Sequence, residues 1–397
     1  MARRLKIALL VESSRGYGRK LQQRIAAYAR AHGPWSFYRQ ERVLGDAAPG
    51  WLEGSDCDGI IARIENRKMA RQLQQMHVPT VDLIGRYDLE GIPTIATDQR
   101  AVARLAADHL LERGVRHFAY CGFTGLYYSE ERLRHFVEYL GESGYEVSVG
   151  KGPRRHDQTD FLGIEAEGLF GKEELVAWIN SLPKPLGLMA SSDTRAQQVL
   201  DACGEYGIAV PDDVAVIGVD NDELLCELCN PSLSSVELNS QKIGYAAAAL
   251  LERMIEGRDP PEARTLVQPL GVVARQSTDV SAIADRDVAA AVHFIRQYAC
   301  DGITVEDVLR QVQLSRSTME RRFAGLVGRS PKAQILHVRL QRVKQLLVET
   351  DYPLAQIARL AGFSHVENMC RLFKNKTGRT PGRYRRESDS HKELNTR

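Results

Sequence analysis

The feature that most constrains the fold of this sequence is a regular alternation of short apolar runs with longer amphipathic stretches between Leu5 and about Asp220. Such alternation is typical of βαβ units, in which helices cover parallel strands on both faces. The apolar runs that we predict to be strands are Leu5–Val11, Gly59–Ile64, Thr80–Ile84, His117–Gly122, Leu186–Ala190 and Val214–Val219. The amphipathic stretches that we predict to be helices are Leu21–Ala31, Ala101–Arg113, Glu131–Glu142, Lys172–Leu182 and Arg195–Tyr206. The pattern therefore predicts an α/β fold with parallel sheets.

The pattern changes near Arg286, where the strand-like runs end and helical periodicity takes over. Within this tail, six residues recur fifty positions later. They are Met319, Arg321, Phe323, Gly328, Arg329 and Pro331 in the first copy, and Met369, Arg371, Phe373, Gly378, Arg379 and Pro381 in the second. A repeat of this kind indicates two copies of one supersecondary unit.

Each copy predicts a helix-turn-helix motif within an all-α domain. The predicted helix pairs are Val305–Gln311 with Arg316–Val327, and Leu354–Leu360 with His365–Thr377. In the second copy, Gly362 permits a tight turn and Ser364 is placed to cap the next helix, whereas the first copy has Gln313 at the glycine position. Between the copies, an apolar stripe at helical spacing predicts a long connecting helix packed against both. The stripe consists of Ile335, Leu336, Leu340, Val343, Leu346 and Leu347.

The basic residues are concentrated in the tail. The whole chain of 397 residues has a net charge of +2, from 53 basic and 51 acidic side chains. Of these, 21 basic and 12 acidic side chains lie between Ile283 and Arg397. A basic domain attached to an acidic one favours a nucleic-acid partner for the tail.

A chain of this length exceeds the size of a single hydrophobic core, so we expect several folding units. The predicted boundaries are 1–278 for a two-lobed α/β domain, 279–285 for a linker, 286–388 for the helical domain and 389–397 for a polar tail.

Other classes of site and compartment have little support in the sequence. Cys226 and Cys229 form a C-x-x-C without a second pair or a nearby histidine, so we expect no metal site and no disulfide framework. The G-x-G at Gly16 and Gly18 lacks the third glycine of a dinucleotide loop, since Leu21 occupies that position. We expect no cofactor, no catalytic residue and no enzymatic activity. The N-terminus lacks a signal-peptide core and no run of 18 apolar residues exists, so we expect a cytoplasmic protein without membrane contact.

Polar residues follow several predicted strands, where open parallel sheets bind their ligands. Hydroxyls, carboxylates, amides and arginines at these strand ends suit a polyhydroxylated ligand, because each ligand hydroxyl donates to a carboxylate and accepts from an arginine or an amide. A single such residue is more often a helix cap, but recurrence favours a pocket. The strand-end residues that we predict to bind ligand are Ser13, Arg15, Tyr17, Ser192, Asp193, Asp220 and Asn221.

Five segments resemble the effector domain of the LacI and periplasmic sugar-binding superfamily. They are Val78–Pro79, Ala96–Asp98, His109–Gly114, Pro211–Asp220 and Pro231–Val236. The resemblance spans about Leu5 to Thr278 and implies two α/β lobes that close on a ligand between them. It also implies that Arg132 and Asp220 grip sugar hydroxyls, and it matches Asp193 and Arg195 to an Asp-x-Arg after a strand.

The tail resembles the AraC-type DNA-binding domain. The segments that carry this resemblance are Ile357-Ala358, Gly362–Ser364, Arg371–Lys374, Gly378–Pro381 and Tyr384-Arg385. By position, the resemblance implies that each of two helices reads one major groove. The implied base-reading residues are Arg316, Ser317, Glu320 and Arg321 in the first copy, and His365, Glu367, Asn368 and Arg371 in the second. Lys374, Lys376, Arg379 and Arg383 are predicted to contact phosphates.

The order of the two domains is itself informative, because a LacI-like domain before an AraC-like domain resembles the xylose operon regulators. This resemblance implies a xylose-like sugar effector, double-stranded operator DNA as partner, a homodimer, and activation of sugar catabolism genes through RNA polymerase. Two alternatives remain open at this point, a cytoplasmic sugar-binding protein and a sugar-processing enzyme, neither with specific DNA recognition.

Overall fold

The computed structural model describes residues 4–152, 168, 171–258, 260, 262–279, 285–312, 314–327, 329–350 and 352–386. The chain forms two compact units, Met1–Val280 and Ser281–Arg397. The predicted domain boundaries stay a prediction. Most of the predicted linker and all of the predicted polar tail lie outside the described residues.

The first unit contains two parallel sheets of six strands each. Its strands are β1 (Leu5–Leu10), β2 (Trp35–Tyr38), β3 (Gly59–Ala62), β4 (Thr80–Asp82), β5 (Thr94–Thr97), β6 (His117–Cys121), β7 (Val147–Val149), β8 (Leu186–Ala190), β9 (Val214–Val219), β10 (Ser234–Glu237), β11 (Arg264–Val267) and β12 (Gly271–Val273). One sheet has the order β11-β5-β4-β3-β1-β2, and the other has the order β12-β10-β9-β8-β6-β7. Only the edge strand β12 pairs antiparallel among the described pairs.

Helices cover both faces of each sheet and so create two lobes. The helices are α1 (Gly16–His32), α2 (Arg67–Gln75), α3 (Gln99–Glu112), α4 (Tyr127–Glu142), α5 (Lys172–Ser181), α6 (Asp193–Glu205), α7 (Glu223–Leu228) and α8 (Ser240–Ile255). Helices α1, α2 and α8 pack on the first sheet, and the others pack on the second. The buried faces of the strands are apolar on both sides, as parallel sheets require.

The chain passes between the lobes three times, after β5, after β10 and after β11. At the first passage Asp98 caps α3, and its carboxylate accepts hydrogen bonds from Ala101 N at 3.0 Å and from Gln268 Nε2 at 2.7 Å. Because Gln268 lies on the third passage, this carboxylate links two of the crossing segments. The crossings bring the carboxyl ends of both sets of strands to one cleft.

The predicted α/β fold followed by an all-α domain is confirmed. The predicted strands Leu186–Ala190 and Val214–Val219 are confirmed to the residue. Helix α1 begins at Gly16 rather than at Leu21, so Tyr17 lies in its first turn. Helices α2, α7 and α8 were not predicted.

The second unit is helical throughout its described part. Its helices are α9 (Arg286–Tyr298), α10 (Val305–Gln311), α11 (Arg316–Val327), α12 (Pro331–Glu349), α13 (Leu354–Leu360) and α14 (Val366–Thr377). Helix α10 begins at a capping box in which Asp307 accepts from Thr304 N at 2.8 Å. The connecting helix was predicted, and it is α12.

The fifty-residue repeat of the sequence is also a repeat of buried positions. Met319 and Phe323 of α11 are fully buried in one apolar cluster, and Met369 and Phe373 of α14 are fully buried in another. The predicted turn at Gly362 is confirmed, with a left-handed φ of 74°. Gln313 and Gly328 lie outside the described residues.

One predicted cap is wrong. Helix α14 begins at Val366 with His365 at the capping position, and no side chain caps it. Ser364 lies one residue before the capping position, so its side chain does not cap the helix.

Arg339 of the connecting helix contacts the second helix-turn-helix copy and the segment that precedes the first. Its Nε donates to the carbonyl of Ala299 and its Nη2 to the carbonyl of Ile303, both at 2.8 Å. Its guanidinium carbon lies 5.8 Å from the ring centroid of Phe363 in the second copy. One side chain of α12 therefore bonds the segment that leads into the first copy and lies against the second copy.

No helix in the described part of the chain has the length and apolarity needed to cross a membrane. Within the same residues, no group of three or more histidine, cysteine, aspartate or glutamate side chains is placed to hold a metal ion.

Candidate ligand cleft and DNA-recognition surface

The cleft between the lobes is narrow and partly open to solvent, with a cavity volume of about 60 Å³. Charged residues of both signs line it, together with tyrosine rings and a few aliphatic side chains. The lining residues are Glu12, Arg15, Tyr17, Leu44, Arg63, Glu65, Leu83, Ile84, Ala96, Thr97, Gln99, Tyr127, Tyr128, Arg132, Asp220 and Leu238. Pockets that bind small molecules commonly combine apolar walls with a few fixed polar groups.

Arg132 is held rigidly in the second lobe. It lies on α4 with a side chain only 4% exposed, and its Nε donates to Gln99 Oε1 at 2.9 Å. One terminal nitrogen donates to the carbonyl of Ser191, and the other donates to Asp220 Oδ1 at 3.5 Å. The guanidinium also stacks on Tyr128, 5.1 Å from the ring centroid. These contacts fix the guanidinium before any ligand arrives.

Asp220 occupies an unusual backbone conformation directly after β9. Its φ is 115°, which L-residues rarely adopt, and its amide donates to the carbonyl of Val236 at 3.0 Å. Burial raises the pKa of the Asp220 carboxyl, while the positive charge of Arg132 opposes that rise. Strained residues of this kind concentrate at ligand sites, where the surrounding structure holds them.

The first lobe contributes a buried ion cluster. Arg63 follows β3, and one of its terminal nitrogens donates to Glu12 while the other lies 3.3 Å from Glu65 Oε1. Its guanidinium carbon is 5.3 Å from the ring centroid of Tyr17. Burial raises the pKa of Glu65 to about 7, and the negative charges of Glu12 and Asp82 add to that rise while Arg63 opposes it.

Glu12 keeps one acceptor available. Its Oε2 is buried and has no hydrogen-bond partner among the described residues. A buried carboxylate oxygen without a partner is costly, so it is a natural position for a hydroxyl donor from a ligand. Across the cleft, Arg132 offers donors and Asp220 offers acceptors. The arrangement therefore suits a small molecule that carries several hydroxyl groups.

The lobes touch directly at the sides of the cleft. Gly16 N of the first lobe donates to Asp222 Oδ2 of the second at 3.1 Å, and a Cβ at Gly16 would lie only 2.7 Å from that oxygen. Leu44 packs against Phe123 and Leu126 in a buried apolar cluster. Polar and apolar contacts thus join the lobes around the cleft.

Four of the predicted ligand residues line the cleft, namely Arg15, Tyr17, Arg132 and Asp220. Ser13 lies beside it, with a buried hydroxyl that has no partner in the described part of the chain. The remaining four, Ser192, Asp193, Arg195 and Asn221, point elsewhere.

Ser192 and Asp193 serve the structure of the second lobe. Ser192 caps α6, with its hydroxyl accepting from Arg195 N at 3.3 Å. The buried carboxylate of Asp193 accepts from Ser235 Oγ at 2.6 Å and from Asp222 N at 2.8 Å. Burial raises the pKa of Asp193 to about 8, and the charge of Asp220 adds to the rise.

Arg195 and Asn221 are also bonded away from the cleft. Arg195 donates to Gln198 Oε1 at 2.7 Å and lies over the ring of Phe123, 5.5 Å from its centroid. The side-chain oxygen of Asn221 accepts from Arg275 Nη2 at 2.9 Å.

The prediction from sequence left out Arg63, Glu65 and Gln99, although a signal for two of them was present. The predicted strand ran to Ile64, whereas β3 ends at Ala62, so Arg63 and Glu65 are strand-end residues after all. Glu12 directly follows the first predicted strand, Leu5–Val11, and was also left out of the predicted ligand residues.

Each copy of the helix-turn-helix exposes the residues predicted to read bases. In the first copy, Arg316 donates to Glu306 Oε1 at 2.9 Å and to Glu320 Oε1 at 3.2 Å, and its side chain is 60% exposed. Ser317 and Arg321 are exposed beside it. The exposed face of α11 therefore combines donors and acceptors.

The exposed face of α14 has the same character. Arg371 Nη2 donates to Asn368 Oδ1 at 3.1 Å, which orders two of the predicted base-reading side chains relative to each other. His365 and Glu367 are exposed at the beginning of the helix. The basic side chains predicted to contact phosphates are exposed as well, and they are Lys374, Lys376, Arg379 and Arg383.

Three protein-family models match successive parts of the chain. Residues 6–100 match the XylR N-terminal domain, and residues 107–278 match the periplasmic binding protein-like domain. Residues 308–387 match a helix-turn-helix domain.

Two curated relatives align over nearly their whole length. The xylose operon regulatory protein of Haemophilus influenzae is 32% identical over 388 residues, which is 96% of this chain and 98% of the relative. The xylose operon regulatory protein of Escherichia coli K12 is 33% identical over 393 residues, which is 96% of this chain and 97% of the relative. A solved structure of the xylose-binding transcription activator xylR superposes with a TM-score of 0.81 at 32% identity, covering 97% of this chain and 98% of that one.

These similarities extend over both units and preserve their order along the chain. The chain therefore belongs to the family of xylose operon regulatory proteins, and it is a sugar-responsive regulator of transcription with a helix-turn-helix DNA-binding domain.

Proposed function

We propose that xylose, or a pentose closely related to it, is the effector of this regulator and that it binds in the cleft between the two lobes. The observation that carries the proposal is the unpartnered acceptor Glu12 Oε2 in the first lobe, together with the Arg132 and Asp220 pair in the second. The relatives named for xylose operons support the choice of sugar.

Both lobes would contribute to the binding of one sugar molecule. Hydroxyl groups on one side of the ring donate to Glu12 and accept from Arg15 or Arg63, and those on the other side bond Arg132 and Asp220. A ligand held from both sides binds better when the lobes are close together, so it shifts the population of lobe arrangements. Ser13, at the edge of the cleft, is a further candidate donor.

The second unit would read DNA with two helices. We propose that α11 and α14 enter successive major grooves, about 34 Å apart along the duplex. Arginine bonds guanine in bidentate fashion, asparagine bonds adenine, and glutamate accepts from cytosine. The exposed residues proposed for this role are Arg316, Ser317, Glu320, Arg321, His365, Glu367, Asn368 and Arg371.

The similarity to an activator also supports finer proposals about partners. We propose that the protein acts in the cytoplasm as a homodimer, and that the sugar-bound form activates transcription through RNA polymerase. A sugar alters DNA binding only if it binds one arrangement of the protein better than another.

A pair of binding measurements tests the effector. The full-length protein is titrated with xylose, arabinose, ribose and glucose in a calorimeter, and its affinity for a selected operator is measured with and without each sugar. We expect one pentose to bind stoichiometrically and to change operator affinity. Stoichiometric binding without any change in operator affinity would contradict the proposal, as would turnover of the sugar during the titration.

A further inference from the structure

Asn221 lies directly after the cleft residue Asp220, yet its side chain points to the end of the first unit. Its φ is 46°, so two consecutive residues adopt left-handed backbone conformations at this turn. The side-chain oxygen of Asn221 accepts a hydrogen bond from Arg275 Nη2 at 2.9 Å. The turn that presents Asp220 to the cleft is thus bonded to Arg275.

Arg275 is anchored by every polar part of its side chain. Nη1 donates to the carbonyl of Leu233 at 2.9 Å, and Nε donates to Glu227 Oε1 at 2.8 Å. The side chain of Arg275 is only 12% exposed. Its backbone amide donates to Ser234 Oγ at 2.7 Å. The side chain of Arg275 therefore has little freedom to move independently of the groups around it.

The residues after Arg275 are the last of the first unit, which ends at Val280. Ser277 Oγ donates to the carbonyl of Val216 at 2.6 Å, and Thr278 Oγ1 donates to Ser234 Oγ at 2.7 Å. Thr278 Oγ1 also lies 2.7 Å from His109 Nε2. Buried hydrogen bonds thus hold the segment from which the chain continues into the helical unit.

Buried groups of the second lobe that do not line the cleft also hold the turn, and Lys20 Nζ of the first lobe donates to the carbonyl of Asn221 at 3.1 Å. Asn221 N donates to Ser235 Oγ at 3.0 Å, and that hydroxyl donates to Asp193 Oδ1 at 2.6 Å. Asp193 accepts from Asp222 N as well. Asp193 therefore stabilises the turn. Arg275 connects the turn to the exit segment, which we define as Gln276–Thr278 at the end of the first unit.

We propose that the Asn221–Arg275 hydrogen bond couples the sugar cleft to the segment that leads into the DNA-binding unit. This inference rests on the proposed function of the cleft. Asp220 changes its interactions when a sugar binds, and Asn221 shifts with it because the two residues share one strained turn. Arg275 passes that shift to Gln276–Thr278. Arg275 is a positioning residue, since it does not line the cleft.

The test separates sugar binding from its effect on DNA. For the wild type and for Arg275→Ala and Arg275→Lys, xylose affinity is measured by calorimetry, and operator affinity is measured by fluorescence anisotropy with and without saturating xylose. The ratio of the two operator affinities is the coupling factor, which is about 5 to 150 in typical allosteric proteins. Thermal unfolding identifies any variant that has lost its fold.

We expect both Arg275 variants to bind xylose within about threefold of the wild type, a difference well under one tenfold step in affinity. Their coupling factor should fall to about one, because sugar binding no longer moves the exit segment. Glu227→Ala is the matched control. It removes the partly exposed partner of Arg275 and leaves the bond to Asn221, so the wild-type coupling factor should persist.

The hydrogen bond itself is tested by a double-mutant cycle. Asn221→Ala should lower the coupling factor as Arg275→Ala does, and the double variant should lower it no further, because both changes remove one interaction. Folded Arg275 variants that keep the wild-type coupling factor would overturn the inference. If xylose leaves the operator affinity of the wild type unchanged, the proposed function fails and this inference fails with it. If only the Arg275 variants behave against expectation, the inference fails alone, so the two failures are distinguishable.

Discussion

The ligand cleft and the recognition surface use the same types of side chain in opposite surroundings. In the cleft, Arg132 and Arg63 are 4% and 13% exposed and are each paired with a carboxylate of their own lobe. On the recognition surface, Arg316 is also paired with glutamates but is 60% exposed. Buried charges need partners in a fixed geometry, whereas exposed charges are solvated and exchange partners at little cost.

This difference explains how one chain recognises two chemically distinct ligands. A small neutral sugar offers only hydroxyl groups, so its site must hold donors and acceptors in place beforehand. DNA offers a dense row of phosphates, so exposed cations gain affinity from the release of counterions. Ionic strength should therefore affect DNA binding strongly and sugar binding weakly, because salt screens buried pairs much less than exposed ones.

The largest expected effect concerns the buried charge of Glu65. Its pKa is about 7 in the folded protein, above the value of about 4.5 for a free glutamate. Between these values Glu65 ionises in the unfolded chain but not in the folded protein, so the contribution of Glu65 to stability falls as pH rises and levels off above about pH 7. The free energy of unfolding of Glu65→Gln should rise relative to that of the wild type by up to about 3 kcal/mol between pH 5 and pH 8.

Urea unfolding followed by tryptophan fluorescence measures this change, since Trp35, Trp51 and Trp178 all lie in the first unit. Glu90→Gln is the control, because Glu90 is exposed in the same lobe and its substitution should give a flat difference. A difference for Glu65→Gln that is also flat with pH would show that burial does not perturb this carboxyl.

The next effect concerns the charged contact of Asp220 with the sugar. Asp220→Ala should weaken xylose binding by about 2–3 kcal/mol, or roughly 30- to 150-fold, because a partly desolvated charged partner is lost. Calorimetry on the folded variant measures it. Asp58→Ala, which removes a carboxylate of the first lobe that does not line the cleft, should leave the affinity unchanged. Equal losses in both variants would point to a general effect on the fold.

On the recognition surface, Arg321→Ala and Arg371→Ala should each weaken the free energy of operator binding by about 1–3 kcal/mol if the arginine bonds guanine. The first should weaken protection of one base cluster and the second that of the other, since they lie on separate helices. Footprinting of both variants on a selected operator distinguishes the clusters. Loss of the same cluster in both would contradict the assignment of two grooves.

The smallest effect concerns Lys374, which is exposed near the end of α14. Lys374→Ala should weaken binding to all DNA sequences alike and lower the slope of log affinity against log salt by about one unit, because one phosphate contact is lost. Salt titrations on operator and random duplexes test this. A loss confined to the operator would indicate a base contact instead.

The spacing of apolar residues predicted many helices and strands well, because that spacing reflects which side chains are buried. The buried strands β8 and β9 and the helices α10, α11 and α13 were predicted with the bounds that the structure has. The first turn of α1 was not predicted, because it contains Gly16 and Gly18, and glycine carries little information about which face is buried.

The cleft was harder to predict, because a strand end does not specify which way a side chain points. Asp193 and Asp220 both follow strands, yet Asp193 stabilises a turn through buried hydrogen bonds and Asp220 lines the cleft. The difference arises from the helix that begins at Asp193 and from the left-handed turn at Asp220, which depends on contacts with Ser235 and Val236. Such long-range contacts leave no periodic signal in the sequence.

The length of α12, from Pro331 to Glu349, has a consequence for how operators can change over evolution. An α-helix advances about 1.5 Å and rotates about 100° per residue, so a single insertion would turn one recognition helix out of phase with the other. Arg339, which contacts the second copy and the segment before the first from the middle of this helix, would lose one set of contacts at the same time. If α11 and α14 each read one groove as proposed, the length of this helix sets the spacing between the two base clusters of an operator.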